Sequence, residues 1–216
     1  MVIAIDGPAG TGKSTIAMML AAKLRGKDRK PFTYINSGNL YRAITLGCLR
    51  KDIDLSNHEK VLEYAKTAPL GYRNGKLYLA EKMVEEFLHN DEVDKHVSPV
   101  SAIIPVRFVV NNLVREIAAG LNSVVEGRDM TTVVFPNAEY RFYLDASIHV
   151  RAKRRYEQGV SGLSLEAIEM SIAERDSIDR NKIEGRLYIG QGVVYLDTSG
   201  LTLNQVYDTL LKRLQY

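Results

Sequence analysis

The chain opens on a short, uninterrupted apolar run, Val2-Ile3-Ala4-Ile5, mostly β-branched, as a strand buried on both faces should be. A glycine-rich stretch follows. Over 14–24 apolar residues then recur at Ile16, Ala17, Leu20, Ala21 and Leu24, the spacing of one helix face. The pattern predicts a second strand over 32–35, a helix over 40–49 and another over 61–65. In GYRNGKLYLA (71–80) the rhythm changes to alternation around Asn74-Gly75, which predicts a hairpin with a type I′ turn. Helical spacing returns over 105–119, where proline in the first turn is tolerated. Strand-like runs follow at SVVE (123–126), YRFYLDA (140–146) and VVYLDT (193–198), with helices over 149–158 and 165–178. Thr202 with Gln205 makes a capping box for a last helix over 203–214. Strands alternating with helices predict an α/β fold with a central parallel sheet flanked by helices. The hairpin region, 66–100, interrupts that alternation and reads as an inserted subdomain of one domain spanning 1–216.

Composition narrows the class. At 216 residues, with 45% apolar and 25% charged, the sequence has the profile of a soluble globular protein. No apolar run approaches the roughly 20 residues of a membrane helix, and MVIAIDG has no basic segment ahead of its apolar residues, so neither a span nor a signal peptide is expected. A single cysteine, Cys48, excludes an internal disulfide and suits a reducing cytoplasm. The histidines show no metal-ligand spacing. A net charge of +3 is too mild to argue for nucleic acid. Arginines concentrate between Arg107 and Arg186, mostly in the second half, and their planar fork suits a small anionic ligand.

GPAGTGKS, residues 7–14, fits G-x-x-x-x-G-K-[ST] in full and lies between a predicted strand and a predicted helix. Glycines let successive backbone N–H groups turn inward around a phosphate chain, and the helix adds its positive N-terminal dipole. Gly7, Pro8, Ala9, Gly10, Thr11, Gly12, Lys13, Ser14 and Thr15 are therefore the candidate ATP-binding residues. Lys13 is expected on the β- and γ-phosphates and Ser14 on Mg²⁺. A GTPase reading would require N-K-x-D after a strand. Asn181-Lys182-Ile183-Glu184 ends in the wrong residue and follows a predicted helix. A remodelling ATPase would carry a strand ending in Asp-Glu, which the sequence lacks.

A small-molecule kinase needs an acceptor pocket beside the cradle. INSGNLYR (35–42), IPVR (104–107), EGRD (126–129) and ERDSIDRNK (174–182) are the candidate segments. In the last, Arg175, Asp179 and Lys182 fall at i, i+4 and i+7 and share a helix face, while Glu174, Asp176 and Arg180 read as solvated surface.

These motifs, GPAGTGKS, SGNLYR, GRDM-TVVFP, RAKRR and ERD-x-x-D-R-N, resemble those of bacterial-type cytidylate kinases, in that family's order and over essentially the whole length. The resemblance implies the P-loop nucleoside monophosphate kinase fold, a monophosphate-binding insert over 66–100 and a short lid within 151–182 around GVSGLS (159–164). It implies phosphoryl transfer from ATP to CMP or dCMP with Mg²⁺, in a cytoplasmic monomer with no nucleic-acid or membrane partner. By the same resemblance Ser37, Arg42 and Arg128 match positions that bind the acceptor nucleotide, the arginines on its phosphate. Ser98, Arg107 and Asp129 match those that read cytosine, Arg175 and Asp179 those near ribose and phosphates, and Lys182 the last cytosine-side position. Lys13, Arg128, Arg175, Arg151 and Arg155 would face the migrating phosphoryl group, and Glu126 would stand near Mg²⁺ or its waters. Three positions depart from the family pattern: Asn36 for aspartate, Thr131 for glycine and Lys182 for arginine. Other acceptors, UMP or AMP, and a nucleotide-binding switch without an acceptor are the alternative readings.

Overall fold

A computed structural model describes residues 1–73, 75–159 and 162–214. The chain forms two compact units, one from Met1–Tyr34 with Leu121–Tyr216 and one from Ile35–Gly120. In chain order the elements are β1 (Val2–Asp6), α1 (Lys13–Lys23) and β2 (Phe32–Asn36), then α2 (Ser37–Arg50), α3 (His58–Thr67), β3 (Leu70–Arg73), β4 (Lys76–Leu79), β5 (Lys82–Met83), α4 (Asp91–Ala102) and α5 (Ile104–Ala118). The chain continues through β6 (Asn122–Gly127), β7 (Tyr140–Asp145), α6 (Ile148–Glu157), α7 (Leu165–Asn181), β8 (Val194–Asp197) and α8 (Leu203–Leu211).

The larger sheet has the order β2-β6-β1-β7-β8, and β6, β1, β7 and β8 pair in parallel. β1 sits between β6 and β7, so Asp6 is opposite both Gly127 and Tyr143. Ile3 and Ile5 of β1, Val124 of β6 and Phe142 and Leu144 of β7 share a core with Ile16, Ala17 and Leu20 of α1 and Val206 and Leu210 of α8. The apolar spacing that predicted α1 is thus the face that buries against the sheet. Each fully buried leucine or isoleucine there contributes about 1.5–3 kcal/mol. Thr202 caps α8 through Gln205 as expected, but the helix ends at Leu211.

β6 runs into Arg128 and Asp129 and then into a single π-helical turn, Met130–Val134. Asp129 O accepts from the amides of Val133 (2.8 Å) and Val134 (3.1 Å), and Met130 O from Phe135 (2.8 Å). Such turns are rare and concentrate at functional sites.

The second unit holds the predicted hairpin, with Leu70 opposite Leu79 and Arg73 opposite Lys76. Asn74 of the expected type I′ turn lies outside the described residues; Gly75 has a φ of 75°. The segment 66–100 lies wholly within this unit. Gly47 of α2 lets α3 approach, because a Cβ there would stand 2.0 Å from Tyr64 Oη. α4 was not anticipated. It begins at an Asn90 cap on Val93 N, buries Val93, Val97 and Val100, and tolerates Pro99 near its end. α4 and α5 meet at a bend of 99°, and among the described residues no single helix is long and apolar enough to cross a bilayer.

Candidate active site

The loop between β1 and α1 is held open by backbone geometry. Gly7, Gly10 and Gly12 have φ of 147°, 81° and 88°. At Gly7 the constraint is also spatial, since a Cβ would stand 2.0 Å from Leu144 O. Gly12 precedes α1 in the left-handed conformation, and no described side chain caps the helix start. Its first N–H groups therefore remain donors for an anion. Ser14 is exposed on the first turn.

Lys13 is buried, and its ammonium donates to Pro8 O (2.6 Å) and Thr11 Oγ1 (3.4 Å). Burial pushes its pKa well below the usual lysine range. The Arg128 charge adds to that push, as does Arg175, while Glu126 and Asp6 oppose it. These four side chains are therefore the charged neighbours of Lys13, although they come from three separate segments. Glu126 is itself buried and accepts from Tyr34 Oη.

Arg128 is held from α7. Its Nε donates to Asp179 Oδ2 (2.9 Å), and Lys182 Nζ donates to Asp179 Oδ1 (2.8 Å). Burial alone would raise the Asp179 pKa; Arg128, Lys182 and Arg175 outweigh it and hold the carboxyl far below its usual range. Arg175 and Asp179 lie on α7 as the spacing predicted, but Lys182 follows the helix in an extended conformation and reaches Asp179 from beyond its end, which corrects its placement on a shared helix face. Lys182 closes this cluster as the residue that follows α7.

Arg151 is one of the largest fully buried side chains among the described residues. Its Nε donates to Ala146 O (2.8 Å), Nη1 to Ala9 O (3.1 Å) and Asp176 Oδ1 (3.1 Å), and Nη2 to Asp176 Oδ2 (2.6 Å). With these contacts it braces the phosphate loop through Ala9. Asp176 is buried in this fork, which corrects its reading as solvated surface. Arg154 similarly ties Thr198 O (2.6 Å) and Thr11 O (3.4 Å), and Arg155 is half-buried on the same helix. Val160 and Ser161 of the expected lid lie outside the described residues.

Asp129 is buried, and its charge acts on Asp6. Asp6 went unnoticed in the sequence. It is fully buried; Oδ1 accepts from Met130 N (2.9 Å), and Oδ2 from Thr131 N (2.7 Å) and Thr131 Oγ1 (2.6 Å). Burial raises its pKa to about 6, against the lowering effect of the Thr131 bonds. The signal available was a carboxylate ending a buried strand, where charge is expensive without partners. Thr131, one of the departures, supplies two of those partners.

The remaining candidates belong to the second unit. Asn36 caps α2 by accepting from Asn39 N (3.2 Å), which asparagine does as well as aspartate. Ser37 starts that helix and is buried. Arg42 donates to Leu88 O (2.8 Å) and pairs with Asp94 (2.5 Å). Arg107 donates to Ser101 O (2.9 Å) and lies over the Tyr41 ring, while Ser98 is half-buried on α4.

A glycine loop opening a helix at the end of a central parallel strand, with a buried lysine folded over it, defines a P-loop nucleotide-binding protein. Residues 3–216 match the protein family described as "Cytidylate kinase". "Cytidylate kinase 1" of Borreliella afzelii (strain PKo) is 40% identical over 99% of this chain and 96% of its own. The "Cytidylate kinase" of Caldanaerobacter subterraneus subsp. tengcongensis is 39% identical over 99% and 94%. The chain belongs to the cytidylate kinase family. Its fold also resembles two solved structures. An uncharacterized protein from Eubacterium ventriosum has a TM-score of 0.52 at 13% identity, over 99% of this chain and 98% of that one. TT1252 from Thermus thermophilus scores 0.50 at 18%, over 100% and 98%.

Proposed function

We propose that the protein transfers the γ-phosphoryl group of ATP to CMP or dCMP, giving ADP and CDP or dCDP. The observation that carries this reading is the full-length family match together with an intact cradle whose Lys13 has Arg128 and Arg175 as charged neighbours. The acceptor is a phosphate already ionised at neutral pH, so no general base is required. Catalysis then consists of aligning two nucleotides and neutralising charge on the migrating group. Lys13, Arg128 and Arg175 carry that role with Arg155, and Arg151 contributes by bracing the loop at Ala9.

The oxygen donors beside the cradle, the Ser14 hydroxyl and the Glu126 carboxylate, are hard ligands of the kind Mg²⁺ takes, and few are needed when phosphates complete the shell. Ser14 and, through water, Glu126 would hold Mg²⁺, whose bound chemistry is neutralisation of the triphosphate. Ser37 and Arg42 hold the acceptor with Arg128, Asp179 and Lys182. Ser98, Arg107 and Asp129 read cytosine: a carboxylate accepts from the exocyclic amine that uracil lacks, so UMP would leave a buried acceptor unpaired. The segments 66–100 and 151–182 serve as acceptor-binding insert and lid, excluding water that would otherwise hydrolyse ATP. The protein works as a cytoplasmic monomer without nucleic-acid or membrane partners.

Coupled ADP release across CMP, dCMP, UMP and AMP tests the reading. CMP and dCMP should be turned over fastest. A preference for UMP or AMP reassigns the acceptor, and ADP release that no monophosphate stimulates leaves a nucleotide-binding switch.

A further inference from the structure

We propose that Asp6 is a positioning residue: from the end of β1 its buried carboxylate holds the Met130–Thr131 amides and so sets the place of Arg128 relative to the phosphate loop. The inference rests on the phosphoryl-transfer reading above for its kinetic test, but its geometry lies wholly within the sheet-bearing unit. Asp6 is the residue directly before Gly7. Its backbone is fixed by β6 on one side and β7 on the other, and the residue after it is fixed by the close approach to Leu144 O. The carboxylate therefore projects from one of the most constrained points of the molecule.

Its three donors all belong to the first residues of the π-helical turn, at 2.6–2.9 Å. Starting N–H groups of a helical turn have no partner within it, and an anion placed there satisfies them and complements the local dipole. Met130 and Thr131 are buried, so without Asp6 their amides would be orphaned away from water. Arg128 and Asp129 immediately precede this anchored start. Donor cradle and acceptor arginine are thus held in common register by one side chain. The charged and titratable groups acting around it are Asp129, Lys13, Arg128 and Tyr143. Asp179 fixes the guanidinium of Arg128 from the other side. The contribution of Asp6 is separable from that one, because Asp6 sets the backbone from which the arginine side chain departs.

The test compares Asp6→Asn, Thr131→Val and Thr131→Ser by steady-state kinetics with ATP and CMP varied separately, and by amide hydrogen exchange over 128–131. An asparagine presents an amide NH₂ donor where Asp6 presents an acceptor oxygen. Displacement of Arg128 by a fraction of its reach should lower kcat/KM for CMP about 100-fold. The KM for ATP should change by less than about threefold, because the glycine backbone that binds phosphate is untouched. Thr131→Val removes one donor and should lose about tenfold on CMP, with Thr131→Ser restoring it. Faster exchange at Met130 and Thr131 should accompany both losses. Variants that melt earlier but keep the wild-type KM and kcat for CMP overturn the inference, as do equal losses on ATP and CMP. If the wild-type protein phosphorylates no monophosphate, the proposed function fails and exchange alone decides: unchanged protection at 130 and 131 in Asp6→Asn then sinks the positioning role.

Discussion

The phosphate loop and the segment after β6 stand side by side at the ends of neighbouring strands, yet they are built in opposite ways. In the loop, conformation comes from glycine backbone, and a Cβ at Gly7 would collide with Leu144 O. In the segment after β6, conformation comes from distant side chains: Asp6 holds its amides and Asp179 holds its arginine. A site written in backbone is local and robust to changes elsewhere. A site written in side chains from other elements responds to substitutions many residues away.

The largest expected effect lies in the loop. Lys13→Met should reduce phosphoryl transfer by at least roughly 10²–10³-fold, since it removes a preorganised charge from the reacting group. Its melting temperature should stay level or rise, because burial already disfavours the charged lysine in the folded protein. A marked loss of stability would mean that Lys13 props the fold through Pro8, and the separation of the two regions would blur.

Asp179→Ala attacks the other region. Removing the shared acceptor leaves two cations facing each other, at a cost of about 3 kcal/mol, the low end for buried pairs because Arg128 is partly exposed. The sign in pH follows from the depressed pKa. The stabilisation is present above about pH 4, the unfolded carboxyl value, and is lost as pH falls below it towards the folded one. Chemical denaturation at pH 7 and pH 3 should show the wild-type advantage shrinking. An equal advantage at both pH values would remove Asp179 from that role.

How much of this was legible follows the same division. The strands other than β5, α1 and the cradle were readable because apolar runs, period-3.6 spacing and glycine signals are local. Arg175 and Asp179 were readable as one helix face because helix spacing is local too, whereas the helix stops at Asn181, short of Lys182. Asp6 and Tyr34 were not, since their partners lie 124 and 92 residues away. Asp176 resembled surface because its partner, Arg151, comes from another helix. α4 was missed for a different reason. Pro99 and the hairpin before it masked a cap at Asn90, acidic residues in the first turn and a Val93, Val97, Val100 stripe, all present in the sequence.

Asp6 offers a smaller, pH-resolved effect. Its folded pKa, about 6, stands above the ordinary aspartate value, so keeping the carboxylate ionised in the buried site costs the folded protein stability that the acid form would not lose. That cost is absent below about pH 4 and is complete once pH has risen through about 6, amounting to about 3 kcal/mol at most. The difference in unfolding free energy between wild type and Asp6→Asn should therefore shift in favour of Asp6→Asn between pH 4 and 7. A difference independent of pH would show that Asp6 stays ionised throughout.

The smallest expected effect is at Lys182, where the family pattern has arginine. Its ammonium spends one bond on Asp179 Oδ1, as a point charge that need not be aligned in a plane. Lys182→Arg would offer a fork, with one prong for the same carboxylate oxygen and one free for the acceptor. Asp179 Oδ2 is already bound by Arg128 Nε, so the new side chain cannot take both oxygens without displacing that contact. The gain is bounded accordingly: the KM for CMP should fall roughly threefold, under 1 kcal/mol, with kcat and the KM for ATP unchanged. A weaker CMP interaction with slower turnover would mean that the fork has pulled Asp179 from Arg128. Arg128 would then be placed by that carboxylate, with Lys182 acting only to hold it.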